Sequence, residues 1–428
     1  MLLKKTLSIC PICKKIIEAE VVSRNNKVFM EKKCEKHGKF TGLYMWDSLN
    51  IYRGLKAVYK SDLNFQQARK IFQMPLSNTI YISVTKKCNL NCPICFAPVF
   101  VKFRRDPSIK DITKTVKKFP NIHYVVLTGG EPTVREDLPT IISTLRKMGL
   151  GVIISTNGIR FSDIEYARKL KDAGLQEIRL SLDGFDEKSD IKLRGKKLLK
   201  TKIKAIKNLQ KVGLNTIFIN MTLSKGVNEN QIGRMMDFCI KNNITQLVLR
   251  SLLSCGLAAK TNLREISYSE ILEQLSKRFS ITTKDIVDYA RYRFFYENFM
   301  NNFSNFVERK KICGISCEVY KDKKRYELSN RKKIFRIKFF IIFMLYNLRY
   351  FIKPLSRIFM KIEEKGRINS ITRPKNKLQI FLTHSMNPLN LDLELLKSSC
   401  RQAILVNDKL YSSCVLNNVL SDYNYENV

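Results

Sequence analysis

Residues 85–96 read Thr-Lys-Lys-Cys-Asn-Leu-Asn-Cys-Pro-Ile-Cys-Phe and place Cys88, Cys92 and Cys95 in a C-x₃-C-x₂-C spacing. A cubane [4Fe–4S] cluster normally takes four cysteine thiolates. Three thiolates on one short loop hold three irons and leave the fourth iron open to another ligand. The spacing therefore predicts a reactive iron–sulfur cluster. A zinc knuckle or ordinary buried thiols are the alternative interpretations of these three cysteines.

Strand-like segments surround this loop, and each of the first four ends in small or polar residues. Residues 78–85 are alternating and β-branched directly before the loop, and five further apolar segments begin at residues 124, 151, 177, 216 and 246. Lysine-rich amphipathic stretches, long enough for crossover helices, lie between them. This alternation predicts an α/β fold with a partial parallel barrel of the (β/α)6 type. In such barrels the chemistry gathers at the carboxyl ends of the strands.

The predicted strand ends carry residues suited to binding a ligand. Gly129 and Gly130 let the backbone approach a ligand closely, and Glu131 can accept a hydrogen bond from an ammonium group. The third and fourth strands end in Ser-Thr-Asn-Gly and Ser-Leu-Asp-Gly. These ends add the candidates Ser155, Asn157, Ser181 and Asp183. All of them are expected at the same edge of the barrel as the cysteine loop.

The succession C-x₃-C-x₂-C, G-G-E-P, S-T-N-G and S-L-D-G resembles the radical S-adenosylmethionine (SAM) superfamily. The resemblance implies that SAM binds the open iron and that one-electron reduction, by a ferredoxin- or flavodoxin-type protein, releases a 5′-deoxyadenosyl radical. It implies that Gly129, Gly130 and Glu131 meet the methionyl amine. The other implied SAM contacts are Ser155, Asn157, Ser181, Asp183, Arg194 at the carboxylate and Phe96 near adenine. For Arg194, a solvated helix charge is the alternative.

The amino-terminal region contains a second metal-binding pattern. Cys10 and Cys13 form a C-x₂-C pair, and Cys34 and His37 form a C-x₂-H pair about twenty residues later. Two such knuckles bring four ligands into the tetrahedral geometry that suits zinc or a single iron. The ligands alone do not decide between the two metals, and reduced thiols without metal are the alternative. A closed four-ligand site of this kind is more often structural than catalytic.

The carboxyl-terminal region holds four more cysteines, which we interpret as candidate ligands of one or more auxiliary iron–sulfur clusters. They are Cys313, Cys317, Cys400 and Cys414. Residues 403–411, between the last two, read as a hairpin turning at residues 407–408, which would bring its flanking cysteines together. Unliganded thiols are the alternative.

The two remaining cysteines lie in the predicted barrel. Cys239 belongs to an apolar helical stretch and is expected in the core, whereas Cys255 follows the sixth strand and could be core or site. Disulfides are not expected, because the sequence shows no signal peptide and its cysteines have metal-binding spacings.

The outer segments narrow the resemblance to a mostly archaeal family that contains tetraether lipid synthase and a pterin-methylating relative. The similar stretches are the amino-terminal Cys/His pattern, residues 226–233 and residues 384–392. In the first branch two lipid chains are joined, and in the second a pterin carrying a methylene group supplies a methyl group. Residues 250–260 depart from the family where substrate contacts are expected. The resemblance therefore covers the core chemistry better than the substrate.

Length and composition predict three regions and a strongly basic surface. With 428 residues and 44% hydrophobic content, the chain can form several cores. We expect a metal-binding ribbon in residues 1–75, a barrel in 76–280 and an α+β auxiliary-cluster region in 281–428. The net charge of +39 suits nucleic acid, although no RNA-binding module is visible.

A basic and apolar segment adds a possible membrane contact. Residues 331–353 enclose a ten-residue uncharged run, which is shorter than the roughly 20 residues that span a bilayer. Cations flanking an apolar centre suit an interfacial helix on anionic lipid. We therefore expect a cytoplasmic protein that contacts the inner membrane face through residues 331–361. A helix packed on the barrel is the alternative.

Three functions are compatible with these patterns. The first is C–H activation and carbon–carbon bond formation on a lipid chain. The second is radical SAM methylation or a related modification of a small molecule, a pterin, or of RNA. The third is a non-catalytic iron–sulfur or zinc protein that binds acidic polymers.

Overall fold

The computed structural model describes most of the amino-terminal two thirds of the chain and part of the remainder. The described residues are 1–55, 79–97, 105–120, 122–278, 282–288, 314–322, 325–328, 377–383, 386–387, 389–393, 403–406, 409–412 and 414. The described strands form two sheets, one of four strands and one of eleven.

The first sheet is an antiparallel ribbon of four consecutive strands. They are β1 (Leu2–Ile9), β2 (Ile16–Arg24), β3 (Lys27–Cys34) and β4 (Gly38–Ser48). Asn25 and Asn26 join β2 to β3 with φ values of 48° and 59°. Two consecutive left-handed residues are typical of the tight hairpin turn whose twist matches the flanking strands, and asparagine tolerates this conformation well. Helix α1 (Leu49–Leu55) follows the ribbon.

The second sheet contains the six predicted barrel strands, each paired in parallel with the next. They are β5 (Thr79–Thr85), β6 (Tyr124–Gly129), β7 (Gly151–Thr156), β8 (Glu177–Ser181), β9 (Ile217–Leu223) and β10 (Gln246–Ser251). The predicted α/β class and parallel partial barrel are therefore confirmed.

Helices, most of them amphipathic, alternate with these strands along the chain. They are α2 (Ile109–Lys117), α3 (Leu138–Lys147), α4 (Ile164–Asp172), α5 (Glu187–Arg194), α6 (Leu199–Lys211), α7 (Ile232–Lys241) and α8 (Tyr268–Arg278). In α3, for example, the buried residues are Leu138, Ile141, Ile142 and Leu145. Their helical spacing turns one apolar face to the sheet, and each buried side chain contributes about 2 kcal/mol.

The described carboxyl-terminal strands extend the same sheet at both edges. They are β11 (Gly314–Asp322), β12 (Arg325–Leu328), β13 (Lys377–Thr383), β14 (Ala403–Val406) and β15 (Lys409–Ser412). Strand β13 pairs in parallel with β10 and adds a seventh parallel strand that the (β/α)6 prediction missed. Strands β14 and β15 form the predicted hairpin, whose first strand pairs with β5. The strands of this region thus complete the barrel sheet.

The ribbon is tied to the carboxyl-terminal block that resembles the family. Asp392 is fully buried and accepts hydrogen bonds from Lys4 Nζ at 3.1 Å, Thr6 Oγ1 at 2.8 Å and Tyr44 Oη at 2.7 Å. Three donors on β1 and β4 satisfy this buried carboxylate, as burial of a charge requires. Asn387 of the same block donates to Glu265, which follows β10, at 3.2 Å, so the described residues of the block connect the ribbon to the barrel.

The expected membrane-contacting segment, residues 331–361, lies outside the described residues. Among the helices that the structure describes, none is long and apolar enough to cross a membrane.

Candidate active site and metal centre

The three-cysteine loop follows β5 at the carboxyl edge of the barrel. Its last turn is closed by a hydrogen bond from Cys95 N to Cys92 O at 3.0 Å. The Leu90 amide points at Cys88 Sγ across 3.4 Å. Leu257 N, from the segment after β10, donates to Cys95 O at 2.9 Å and fixes the loop from the other side of the barrel mouth. Cys88 is exposed, and Cys92 and Cys95 are half-buried, so the thiols are accessible to a cluster.

The paired glycines at the end of β6 pack directly against this loop. Gly130 N donates to Thr85 O at 2.8 Å, and Glu131 N donates to Lys87 O at 2.9 Å. A Cβ atom on Gly130 would lie 2.3 Å from Lys87 O. Only glycine permits this approach. The glycine is therefore required because the backbone after β6 packs against the backbone of the cysteine loop.

Glu131 joins two strand ends. Its side chain is buried and accepts hydrogen bonds from Thr133 N (3.1 Å), Thr133 Oγ1 (2.7 Å), Thr156 Oγ1 (2.7 Å) and Asn157 N (2.7 Å). Burial raises the pKa of Glu131, while these donors act to lower it. Oε1 takes three of the four donors and Oε2 takes one, which leaves Oε2 acceptor capacity for an ammonium group.

Asp183 and Arg194, both predicted to contact SAM, form one buried ion pair. Arg194 Nε and Nη2 donate to the two carboxylate oxygens at 2.7 and 3.0 Å, and Thr222 N adds a third donor at 2.9 Å. Burial alone would raise the pKa of Asp183, but the Arg194 guanidinium holds it below its usual range. Burial would likewise lower the pKa of Arg194, but Asp183, and then Cys92, raise it. Arg194 is therefore not a solvated helix charge: it lies beside a predicted cluster ligand.

The remaining candidates surround the same opening. Asn157 Nδ2 donates to Asn89 Oδ1 on the cysteine loop at 2.7 Å. Ser181 Oγ is buried and has no hydrogen-bond partner among the described residues, which fits a hydroxyl awaiting a polar ligand. Ser155 is half-buried at the end of β7 and Phe96 is 42% exposed after the last cysteine. The site fits a three-thiolate cluster with SAM beside it.

Two charged residues behind the loop were missed by the sequence analysis. Lys202 and Asp190 are buried, and Lys202 Nζ lies 4.0 Å from Asp190 Oδ1. Lys202 belongs to a lysine-rich amphipathic helix. No local signal separates it from its solvated neighbours, so only the packing of α6 identifies it.

The concave face of the barrel carries polar side chains among apolar ones. Arg179 on β8 donates to the hydroxyl of Tyr81 on β5, and two strands separate these residues in the sheet. Because side chains alternate along a strand, Ser181 lies on the same face as Arg179. Its registered neighbour is Asn220, and the next registered pair on this face is Thr222 with Arg250. Hydroxyl, amide and guanidinium groups therefore line the interior beside the predicted SAM site.

The ribbon brings its four predicted ligands together. The ligand atoms of Cys10, Cys13, Cys34 and His37 all lie within 4.8 Å of one another. Cys13 Sγ and Cys34 Sγ are 3.8 Å apart, and His37 Nδ1 is 3.6 Å from Cys10 Sγ and 3.5 Å from Cys34 Sγ. A tetrahedral zinc ion with ordinary bond lengths requires about 3.8 Å between sulfurs and about 3.6 Å between sulfur and nitrogen. The Cys₃His set fits zinc.

The other cysteines have mixed outcomes. Cys239 is fully buried in α7, which confirms the core prediction, and burial raises its pKa. Cys255 is also buried, which raises its pKa to about 12. It lies two residues before Leu257, whose amide donates a hydrogen bond to Cys95 O. None of the described cysteines forms a disulfide.

The predicted auxiliary ligands are only partly described. Cys414 is buried just after β15, and Cys317 lies on β11 at the other edge of the sheet. Cys313 and Cys400 lie outside the described residues.

Comparison with known families agrees with this geometry. Residues 82–239, which include the three-cysteine loop, match the family described as the radical SAM superfamily, so this part of the chain is similar to radical SAM enzymes. Residues 2–46 match the family described as the HMPTM N-terminal zinc ribbon domain. The barrel is therefore preceded by a ribbon that is similar to this zinc ribbon domain.

Individual relatives share the central part of the chain. The chain is 38% identical over 257 residues to 7,8-dihydro-6-hydroxymethylpterin dimethyltransferase of Methanocaldococcus jannaschii, a match that covers 56% of this chain and 51% of the relative. It is 36% identical over 180 residues to a probable GTP 3′,8-cyclase of Pyrococcus horikoshii, covering 41% and 57% respectively. The chain thus spans little more than half the length of these relatives. The crystal structure of Streptococcus suis SuiB bound to S-adenosylmethionine matches with a TM-score of 0.40 and 22% identity, over 53% of this chain and 51% of that one.

The zinc site leads to a direct prediction. Purified protein should contain one zinc per chain, and Cys34→Ala should lose it, because three ligands bind zinc far less tightly than four and the ribbon folds around the ion. Elemental analysis by mass spectrometry measures this. Cys239→Ala, which removes a core thiol that is not a ligand, is the matched control and should keep its zinc. Equal zinc in the Cys34→Ala and control proteins would show that the ribbon binds no metal through this residue.

Proposed function

We propose that this chain methylates a reduced pterin by radical SAM chemistry. The observation that carries the proposal is the 257-residue similarity to a pterin dimethyltransferase, which is longer than the superfamily match over residues 82–239. The similarity to a GTP cyclase is shorter, at 180 residues. The ribbon match supports the same choice. The lipid chain that the sequence resemblance also suggested is the less well supported substrate.

The polar groups on the concave face of the barrel support a pterin over a lipid chain. An alkyl chain gains from apolar walls, and each polar group it covers without replacing a hydrogen bond costs about 1–3 kcal/mol. Ser181, Asn220 and Thr222 are half-buried on the concave face, and they offer donors and acceptors. A pterin ring has ring nitrogens, an amino group and a carbonyl group that can pair with such residues. Ligand sites of this kind combine an enclosing wall with a few convergent polar groups.

Each group of residues has a role in this proposal. Cys88, Cys92 and Cys95 would hold a [4Fe–4S] cluster, which with SAM supplies a carbon-centred radical able to break unactivated C–H bonds. The Gly129-Gly130-Glu131 segment presents its carbonyl groups and the Glu131 carboxylate to the SAM ammonium. The remaining candidate contacts would orient the rest of SAM: Phe96, Ser155, Asn157, Ser181, and the Asp183–Arg194 pair.

The proposal includes auxiliary iron–sulfur clusters and an external protein that donates electrons. Cys414 follows β15, the outermost strand on the β5 side of the sheet among the described residues, and with Cys400 it would ligate an auxiliary cluster. Cys313 and Cys317 are the other candidate ligands. A protein of the ferredoxin or flavodoxin class would deliver the electron that starts the reaction. The positive surface charge that follows from a net charge of +39 suits such acidic carriers.

The test is methyl transfer in vitro. Anaerobically reconstituted protein is incubated with dithionite, SAM and 6-hydroxymethyl-7,8-dihydropterin, with the isotopic label in one arm on the SAM methyl group and in the other on the methylene of a one-carbon-carrying pterin. Mass spectrometry should find labelled methyl groups on the pterin in the arm whose label is on the true methyl source. It should find 5′-deoxyadenosine in both arms. Diether lipid and total RNA are offered as competing substrates. Cleavage of SAM with an unchanged pterin and a modified lipid or RNA would overturn the proposal.

A further inference from the structure

The hairpin of helices α5 and α6 packs against the back of the cysteine loop. Leu193, near the end of α5, shares a small apolar cluster with Ile94 of the loop. Gly195, which ends α5 at a φ of 76°, lies so close that an added Cβ would be 3.2 Å from Asn91 O. The end of this helix hairpin therefore lies directly behind the thiols proposed to hold the cluster.

This hairpin contains a buried charged pair. Lys202 is fully buried and Asp190 is 2% exposed. Lys202 Nζ and Asp190 Oδ1 are 4.0 Å apart, and neither atom has a hydrogen-bond partner among the described residues. The second Asp190 oxygen accepts a hydrogen bond from Leu198 N at 2.8 Å. Burying a lysine and an aspartate with incomplete hydrogen bonding is unfavourable for stability, so this pair is weak evidence for a stabilising role.

The pair lies within electrostatic range of the cluster loop. Burial lowers the pKa of Lys202, and the next largest influence is Asp183, which raises it; Cys92 also raises it. Arg194 is bound to Asp183 and is close to Cys92. Lys202 and Arg194 are therefore two basic side chains, largely withdrawn from solvent, that lie near one predicted cluster ligand. Water cannot screen them there, because both side chains are largely withdrawn from solvent.

We propose that Lys202 adjusts the reduction potential of the iron–sulfur centre. Its buried ammonium favours the reduced, more negative form of the cluster and so raises the reduction potential. Reduction adds one electron from an external one-electron donor and therefore one negative charge to the cluster. A fixed cation nearby stabilises that charge, and hydrogen bonding and charge around the sulfurs are known means of setting such potentials. Asp190 opposes Lys202 and limits the effect. The inference rests on the proposed function only in requiring the cluster, and it is independent of the substrate.

The experiment measures the potential of the reconstituted cluster by EPR-monitored redox titration, without pterin. Lys202→Met should reduce the fraction of reduced cluster at a fixed potential about tenfold, which corresponds to a shift of about 59 mV to lower potential. Asp190→Asn, which removes the opposing charge, should shift the potential in the other direction. Lys204→Met, which removes an exposed cation from the same helix, is the matched control and should leave it unchanged.

The opposite shifts in potential expected for Lys202→Met and Asp190→Asn distinguish an electrostatic effect from structural damage. Iron and sulfide content verify that each variant holds its cluster, and a loosened, more solvent-exposed loop would shift the potential of both variants in the same direction. If Lys202→Met does not fold, the sign of the Asp190→Asn shift still decides. Potentials equal to wild type in the variants that hold their cluster would overturn the inference. A shifted potential in a protein that fails to methylate pterin would contradict the proposed substrate alone.

Discussion

Replacing Cys92 by alanine should lower SAM cleavage to below about one-thousandth of the wild-type rate. Cys92 is the central thiol of the loop and the one beside Arg194. Without it the loop offers two thiolates, and a cubane cluster then lacks both a third anchor and a single defined open iron. Liquid chromatography of 5′-deoxyadenosine after incubation with dithionite and SAM measures the loss. Iron analysis should show a matching loss of cluster iron.

Cys239→Ala is the matched control for this experiment. It also removes one thiol, but from the core of α7, and burial raises the pKa of that thiol so that it stays protonated. We expect it to cost about 1 kcal/mol of unfolding free energy and to retain both iron and SAM cleavage. If Cys92→Ala and Cys239→Ala cleave SAM equally well, the loop is not the reaction centre.

Gly130→Ala should remove SAM cleavage through geometry alone, with every thiol in place. The new Cβ would lie 2.3 Å from Lys87 O and 2.6 Å from Lys86 O, both backbone atoms of the cysteine loop. The two loops must separate, and the hydrogen bonds from Gly130 N to Thr85 O and from Glu131 N to Lys87 O are then lost. We expect a loss of about 2–4 kcal/mol in unfolding free energy. Denaturant melts measure this loss, and product analysis measures the loss of cleavage.

Gly213→Ala is the control for the loss of a glycine as such. Gly213 has a φ of 81°, and an added Cβ would meet nothing within 4 Å. The substitution therefore costs only the strain of a left-handed alanine, about 1–2 kcal/mol. It should keep full SAM cleavage. Wild-type cleavage by Gly130→Ala would disprove the close approach of the two loops.

The sequence predicted the barrel strands and the ribbon ligands well, because both depend on local order along the chain. The six strands were recognisable because each is an apolar or alternating run that ends in small polar residues. The ribbon ligands were recognisable because a metal knuckle is built from cysteine and histidine a few residues apart. The seventh parallel strand, β13, was missed because it comes after a long intervening segment and pairs with β10 across more than a hundred residues. Pairing at such separation leaves no periodicity in the local sequence.

Several roles depend on contacts that no spacing reveals. Asp183 and Arg194 were each expected to contact SAM separately, whereas they form one buried ion pair. Glu131 was expected to meet an ammonium, and it also joins β7 to the cysteine loop. The carboxyl-terminal block was noticed only as a resemblance, and its Asp392 proves to bind three residues of the ribbon.

The sequence by itself determined the chemistry available to this protein: three thiols on a strand-end loop, a Gly-Gly-Glu segment, and a four-ligand ribbon. These features depend on residue type and short spacing, which the chain carries in one dimension. Only the tertiary structure decided which charges are buried together. Lys202 resembles its solvated neighbours until α6 packs against the barrel, because the cost of burying a charge, and the strength of its field on neighbouring groups, arise only where folding removes the surrounding water.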